Sequence, residues 1–263
     1  MNNDDADLQA KTRKKTDFFI NSFVKVQKFD KVEDLNRNSQ FTTYNSQLKM
    51  NLSLEYKIQE PKVILDKNPV LLLLHGYGSN EADLFSFATE LPDNYYIISA
   101  RAPYDLQYGA YAWYAINFDA DQNKFSDNEQ AKTSRDLIAA FVDELVANYP
   151  IDANNVTLVG FSQGSILSYS VALSYPEKIQ RVVAMSGYFN EEIIKEGYEK
   201  NDFKNLKIFA SHGTVDQVIP IDWARKTPAI LEKLNIPVTY KEYPVGHGVA
   251  PQNFFDFKNW LAE

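Results

Sequence analysis

Val70 to Leu74 is five apolar residues in a row, with no polar side chain at either parity of the strand period. A strand with one wet face alternates apolar and polar side chains, so an unbroken run of this length points to a strand covered on both faces. Tyr95 to Ser99, Val156 to Val159, Val182 to Met185 and Leu206 to Ala210 read the same way, and Val238 to Tyr243 is the candidate last strand. Between these runs the period changes. Leu137, Ile138, Phe141, Val142, Leu145 and Val146 recur at helical spacing and stop before Pro150. Ser126-Asp127-Asn128-Glu129, just ahead of them, has the form of a capping box. Ile166 to Ser174, Trp223 to Leu234 and Phe254 to Leu261 are further helix candidates. Strands alternating with helices predict an α/β class, a mostly parallel sheet with helices on both faces, because each parallel connection must cross back over the sheet. Between Met185 and Leu206 there is room for a short excursion only, so no separate cap domain is expected.

The pattern does not extend to the beginning of the chain. Residues 1–49 contain no glycine or proline and show no sustained period, and they carry a small basic excess in a chain whose net charge is -8. They read as a poorly ordered extension with at most a short helix. Met50 then opens Asn51-Leu52-Ser53-Leu54-Glu55-Tyr56-Lys57-Ile58, which alternates as a half-buried strand does. The division expected is therefore an appendage over 1–49, or a misassigned start with Met50 as the alternative, and one working domain over 50–263. At 44% hydrophobic composition the chain has enough apolar surface for a sizeable core.

Charge and composition exclude several classes of function. The acidic balance argues against nucleic acid or an anionic membrane surface as the main partner, since both require clustered Lys and Arg. No stretch approaches the roughly 18 apolar residues needed to span a bilayer. Lys11-Thr12-Arg13-Lys14-Lys15 before Phe18 to Val26 invites a signal-peptide reading, but Asn, Ser and Lys break the apolar patch and no A-x-A-like site follows. With no cysteine, disulfides, a thiol nucleophile and thiolate metal sites are ruled out. The expectation is a cytoplasmic protein acting on a small or neutral molecule.

Chemistry enters at Gly160-Phe161-Ser162-Gln163-Gly164, directly after the Val156 to Val159 run and just before a predicted helix. In a parallel sheet, catalytic groups collect at the carboxyl ends of strands. A serine on a sharp strand-to-helix turn has its hydroxyl lifted clear of the sheet, and flanking glycines let such a turn close. A hydroxyl is a poor nucleophile unless a base takes its proton, normally a histidine held by a carboxylate. Three histidines are available. His247, in Val245-Gly246-His247-Gly248, follows the last predicted strand, and Asp216 lies in the loop after the Leu206 to Ala210 strand, giving the chain order Ser, Asp, His. His212 reads as a brace for the loop that carries Asp216. His75 opens His75-Gly76-Tyr77-Gly78 after Val70 to Leu74, where a hydrolase of this kind supplies an oxyanion amide. Their wide spacing, with no H-x-x-x-H pair, argues against zinc.

Leu74-His75-Gly76-Tyr77-Gly78, Gly160-Phe161-Ser162-Gln163-Gly164, His212-Gly213-Thr214-Val215-Asp216 and Gly246-His247-Gly248 together resemble the phospholipase/carboxylesterase family of α/β-hydrolases, which includes acyl-protein thioesterases. The resemblance covers about residues 50–263. It implies an α/β-hydrolase fold, Ser162 as nucleophile, His247 as base, Asp216 as its orienting partner, backbone amides of Tyr77 and Gln163 as the oxyanion hole, and no cofactor. Tyr77-Gly78-Ser79-Asn80 is closer to the bacterial carboxylesterase branch than to the thioesterase pattern.

Between Arg101 and Asp119 the chain carries Tyr104, Tyr108, Tyr111, Trp113, Tyr114 and Phe118. These aromatics either line an acyl pocket or pack the loop onto the domain, and for Trp113 the resemblance favours the pocket. The resulting expectation is a serine esterase of small or medium acyl esters. Acyl-protein thioesterase or lysophospholipase-like activity, a peptidase or amidase, and a non-catalytic binding module are the alternatives, and the reading leaves room for a homodimer.

Overall fold

The protein, represented by a computed structural model, is described over residues 52–118 and 124–263. The expected extension over 1–49 lies outside the described residues. In chain order the strands are β1 (Tyr56–Gln59), β2 (Asn68–Leu74), β3 (Tyr96–Ala100), β4 (Tyr104–Asp105), β5 (Tyr111–Ala112), β6 (Ile116–Phe118), β7 (Lys124–Ser126), β8 (Ile151–Phe161), β9 (Arg181–Met185), β10 (Lys207–Gly213) and β11 (Val238–Tyr243). The helices are α1 (Asn128–Asn148), α2 (Gln163–Ser174), α3 (Ile221–Ala224), α4 (Thr227–Lys233) and α5 (Pro251–Leu261). Seven strands form one sheet in the order β1-β3-β2-β8-β9-β10-β11. Every pairing in it is parallel except that of β1 with β3. β4 with β5 and β6 with β7 make two small hairpins apart from it.

The unbroken apolar runs are buried as their composition demands. Val70, Leu72 and Leu74 join α1 and α2 in one core cluster, through Ile138, Phe141, Leu167 and Val171. Leu71 and Leu73 point the other way and pack with Leu84, Phe257, Trp260 and Leu261. Alternate residues of β2 thus feed two separate cores, one on each face. Burying each leucine is worth about 2 kcal/mol, which a polar residue at any position of the run would forfeit.

Three local expectations are revised. Helix α1 is capped by Asp127 rather than Ser126: the Asp127 carboxylate accepts from the Gln130 N–H at 3.0 Å, while Ser126 ends β7. Aspartate is as good a cap as serine, and Glu129 then falls in the first turn, where the helix dipole favours it. The helix expected over Trp223 to Leu234 is two, because Pro228 has no N–H to continue a helical ladder and sits in the first turn of α4. The strand expected from Met50 is shorter and begins at Tyr56.

Candidate active site

β8 is the central strand, β2 lies beside it, and β10 and β11 close one side of the sheet. All run parallel, so their carboxyl ends open on one rim, where loop residues can meet.

Ser162 sits between β8 and α2 with φ 54° and ψ -116°, a backbone that a side-chain-bearing residue adopts at a cost of order 1–3 kcal/mol. Its surroundings hold it there. The Ser162 N–H donates to the Met185 carbonyl at 2.9 Å. A Cβ at Gly160 would lie 2.4 Å from the Gly164 carbonyl, and one at Gly164 would lie 2.0 Å from the Leu74 carbonyl oxygen. Both glycines are therefore required by close backbone approach, which is what the sharp turn was expected to need. Within this turn the strain falls on the residue whose side chain must project.

The hydroxyl meets the two partners named from sequence. His247 Nδ1–H donates to Asp216 Oδ2 at 2.7 Å, which leaves Nε2 to accept from Ser162 Oγ at 3.0 Å. Asp216 Oδ1 accepts from the N–H groups of Val218 and Ile219, at 2.8 and 2.9 Å. Burial would raise the Asp216 pKa, but the His247 hydrogen bond and charge, with those two amides, outweigh it and hold the carboxyl below its ordinary value. His212 touches the same carboxylate: its Nε2 lies 3.3 Å from Asp216 Oδ2 and 2.9 Å from the Ile219 carbonyl, so Nε2 carries the proton. The expected loop brace is thus also a second contact to the aspartate. The Phe161 ring packs 5.0 Å from the His247 ring and backs the imidazole.

The His75-Gly76-Tyr77-Gly78 turn abuts the serine. A Cβ at Gly76 would stand 3.3 Å from Ser162 Cβ. His75 is wholly buried, donates from Nδ1 to the Gly76 carbonyl at 2.7 Å and accepts at Nε2 from the Ala102 N–H at 3.0 Å. Desolvation by burial lowers its pKa to about 4, so the ring is neutral and its tautomer is fixed by its two partners. Gly78, with φ 76°, donates its N–H to the Tyr111 carbonyl, and Tyr111 returns its own N–H to Ser79. Arg101 forms a two-pronged pair with Glu81 at 2.7 Å and lies 4.8 Å from the Tyr111 ring centre. The Arg101 hydrogen bond holds Glu81 below the usual carboxylate range. Nothing in the sequence singled out this pair, because its members sit on different segments and neither belongs to a motif.

The aromatics of the Arg101 to Asp119 segment differ widely in burial. Trp113 has 0% exposure and Tyr114 2%, both in the core, whereas Tyr108 is fully exposed at the tip of the β4–β5 hairpin. The Trp113 indole N–H donates to the His75 carbonyl at 2.9 Å. Trp113 is wholly buried and presents no free surface. The Phe118 side chain lies outside the description. Among the described residues no group of three or more His, Asp or Glu side chains could hold a metal ion.

Residues 56–263 match the model of the family described as Phospholipase/Carboxylesterase. Acyl-protein thioesterase 1 of Yarrowia lipolytica is 26% identical over 208 residues, covering 73% of this chain and 90% of that protein. Acyl-protein thioesterase 1 of Debaryomyces hansenii is 28% identical over 156 residues, 57% of this chain and 66% of that protein. The solved carboxylesterase of Bacillus cereus superposes with a TM-score of 0.70 at 24% identity, over 81% of this chain and 95% of that one, a likeness of fold.

Proposed function

Since this chain belongs to the phospholipase/carboxylesterase family of α/β-hydrolases and is a hydrolase of carboxylic ester bonds, we propose that Ser162, His247 and Asp216 carry the reaction on small or medium acyl esters. The observation that carries the proposal is the unbroken hydrogen-bond chain from Ser162 Oγ through His247 to Asp216. In the first step His247 Nε2 takes the hydroxyl proton as Oγ bonds to the ester carbonyl carbon. The carbonyl oxygen becomes an oxyanion, received by the N–H groups of Tyr77 and Gln163. Gln163 is the first residue of α2, where helix N–H groups have no partner inside the helix and the dipole favours negative charge. The alcohol leaves with the proton from His247, and water repeats the sequence on the acyl-enzyme. Asp216 fixes the imidazole tautomer and stabilises its cation.

Substrate size is argued from what stands over the rim. Between β9 and β10 the chain makes only two short 3₁₀ turns, Glu191–Ile193 and Tyr198–Lys200, which favours an open site. Thioester hydrolysis is a second reading, favoured by the two relatives named acyl-protein thioesterase. No described helix is long and apolar enough to cross a membrane, and the proposal includes a cytoplasmic location. A panel of p-nitrophenyl esters and matched thioesters of rising chain length, run beside Ser162→Ala, tests it. We expect turnover of the short and medium members that Ser162→Ala lowers by roughly 10⁴-fold or more. Turnover that survives the substitution sinks the assignment.

A further inference from the structure

We propose that Trp113 and the side chain of Gln163 are positioning residues that fix the separation of the two oxyanion amides. The inference rests on the assignment of the Tyr77 and Gln163 N–H groups above, and it names what holds them in register. One amide belongs to the turn after β2 and the other to the start of α2, so tertiary contacts must set the distance between them.

Trp113 bridges the two segments. Its indole Nε1–H donates to the His75 carbonyl at 2.9 Å, two residues before Tyr77. Its backbone N–H donates to Gln163 Oε1 at 3.0 Å, and Gln163 Nε2 returns a bond to the Tyr114 carbonyl at 2.8 Å. The Trp113 carbonyl accepts from Ser134 Oγ on α1. Every polar group of Trp113 and both ends of the Gln163 amide are therefore used, all of them in the buried interior. His75 completes the frame from the far side, through its bonds to Gly76 and Ala102 and a ring 5.6 Å from the indole.

Such a network admits one arrangement. Moving the His75 turn away from α2 would leave a buried donor or acceptor without a partner, because each is satisfied in one direction only. An oxyanion hole needs this rigidity, since its donors must stand about 2.7–3.1 Å from the charge as it develops. The residue types fit the task. Phenylalanine at 113 would fill the space and abandon the His75 carbonyl, and glutamate at 163 would keep the acceptor for Trp113 but set a carboxylate against the Tyr114 carbonyl.

The test is steady-state kinetics of the full chain carrying Trp113→Phe or Gln163→Met, on p-nitrophenyl acetate, butyrate and octanoate. The brace predicts a fall in kcat of about 10-fold or more at every chain length, with KM moving less than about 2-fold. Affinity for a trifluoromethyl ketone, whose adduct with serine carries the same oxyanion, should fall by a similar factor. A loss confined to KM that varies with acyl length would overturn the inference in favour of a substrate wall, and an unchanged kcat would overturn it outright. Far-UV circular dichroism and a thermal melt establish folding; where Trp113→Phe does not fold, Gln163→Met and Gln163→Glu carry the reading. Ser162→Ala separates the two levels. If it retains the wild-type rate, the assignment of Ser162 as nucleophile fails; if it abolishes turnover while the Trp113 and Gln163 variants keep theirs, only the brace fails.

Discussion

The turn that carries Ser162 and the loop that carries His247 are packed to different standards. On the nucleophile side, the turns after β2 and β8 lie at the centre of the sheet, and added Cβ atoms at Gly160 and Gly164 would collide with backbone at 2.4 and 2.0 Å. On the base side the packing is mixed: a Cβ at Gly213, the last residue of β10, would lie 2.3 Å from the Val245 and Gly246 carbonyl oxygens, whereas beside His247 itself a Cβ at Gly246 would find its nearest neighbour at 3.9 Å and one at Gly248 nothing within 4 Å. Steric exclusion fixes the turn around Ser162, and on the base side it acts at Gly213. Directional hydrogen bonds through Asp216 aim the His247 ring. A nucleophile and an oxyanion site must be held to fractions of an ångström by their backbone, whereas an imidazole can be aimed by its partners alone.

This contrast is open to attack, beginning with the largest effect. Asp216→Asn removes the group that sets the His247 tautomer, and kcat should fall roughly 10⁴-fold with little change in melting temperature. A loss of stability in place of activity would mean that Asp216 serves the packing of its loop rather than the aim of the imidazole. Gly164→Ala should do the reverse and destabilise the fold by about 3 kcal/mol or more in urea unfolding, because the Leu74 carbonyl it strikes is backbone and cannot turn aside.

The buried His75 gives the nucleophile side a pH signature. Its folded pKa is depressed from 6.5 to about 4 by desolvation, so in that window the unfolded chain binds a proton that the folded chain refuses. Stability is therefore unaffected above about pH 6.5 and falls as the pH drops toward 4, with a loss on the order of 2 kcal/mol between about pH 7.5 and about pH 5. His75→Gln should flatten the dependence of the urea midpoint in that interval; an unchanged slope would show that this imidazole is not the group responsible. The smallest effect is expected at Gly248→Ala, within about 0.5 kcal/mol of wild type, since the added methyl meets open space. A cost comparable to that at Gly164 would erase the distinction between the Ser162 turn and the His247 loop.

Much of the nucleophile side was legible before any coordinates. The apolar run Val70 to Leu74 announced a strand with two covered faces, and Gly160 and Gly164 around Ser162 announced a tight turn. Each is a local requirement, visible because the residues that satisfy it are neighbours in the chain. The burial of Trp113 was not legible, for the opposite reason. A cluster of aromatics has the same composition whether it faces a ligand or a core, and only burial separates the cases. The Glu81–Arg101 pair and the second contact of His212 to Asp216 left no signal of their own.

The sequence by itself determined the α/β class, the chain order of Ser162, Asp216 and His247, and the family, because period and motif spacing are properties of the chain. Only the tertiary structure decided which buried groups share a hydrogen bond: that Trp113 reaches the His75 carbonyl and Gln163 reaches Trp113. Hydrogen bonds between distant segments depend on the packing of the sheet and helices as a whole, and a satisfied buried amide looks the same along the chain as an exposed one.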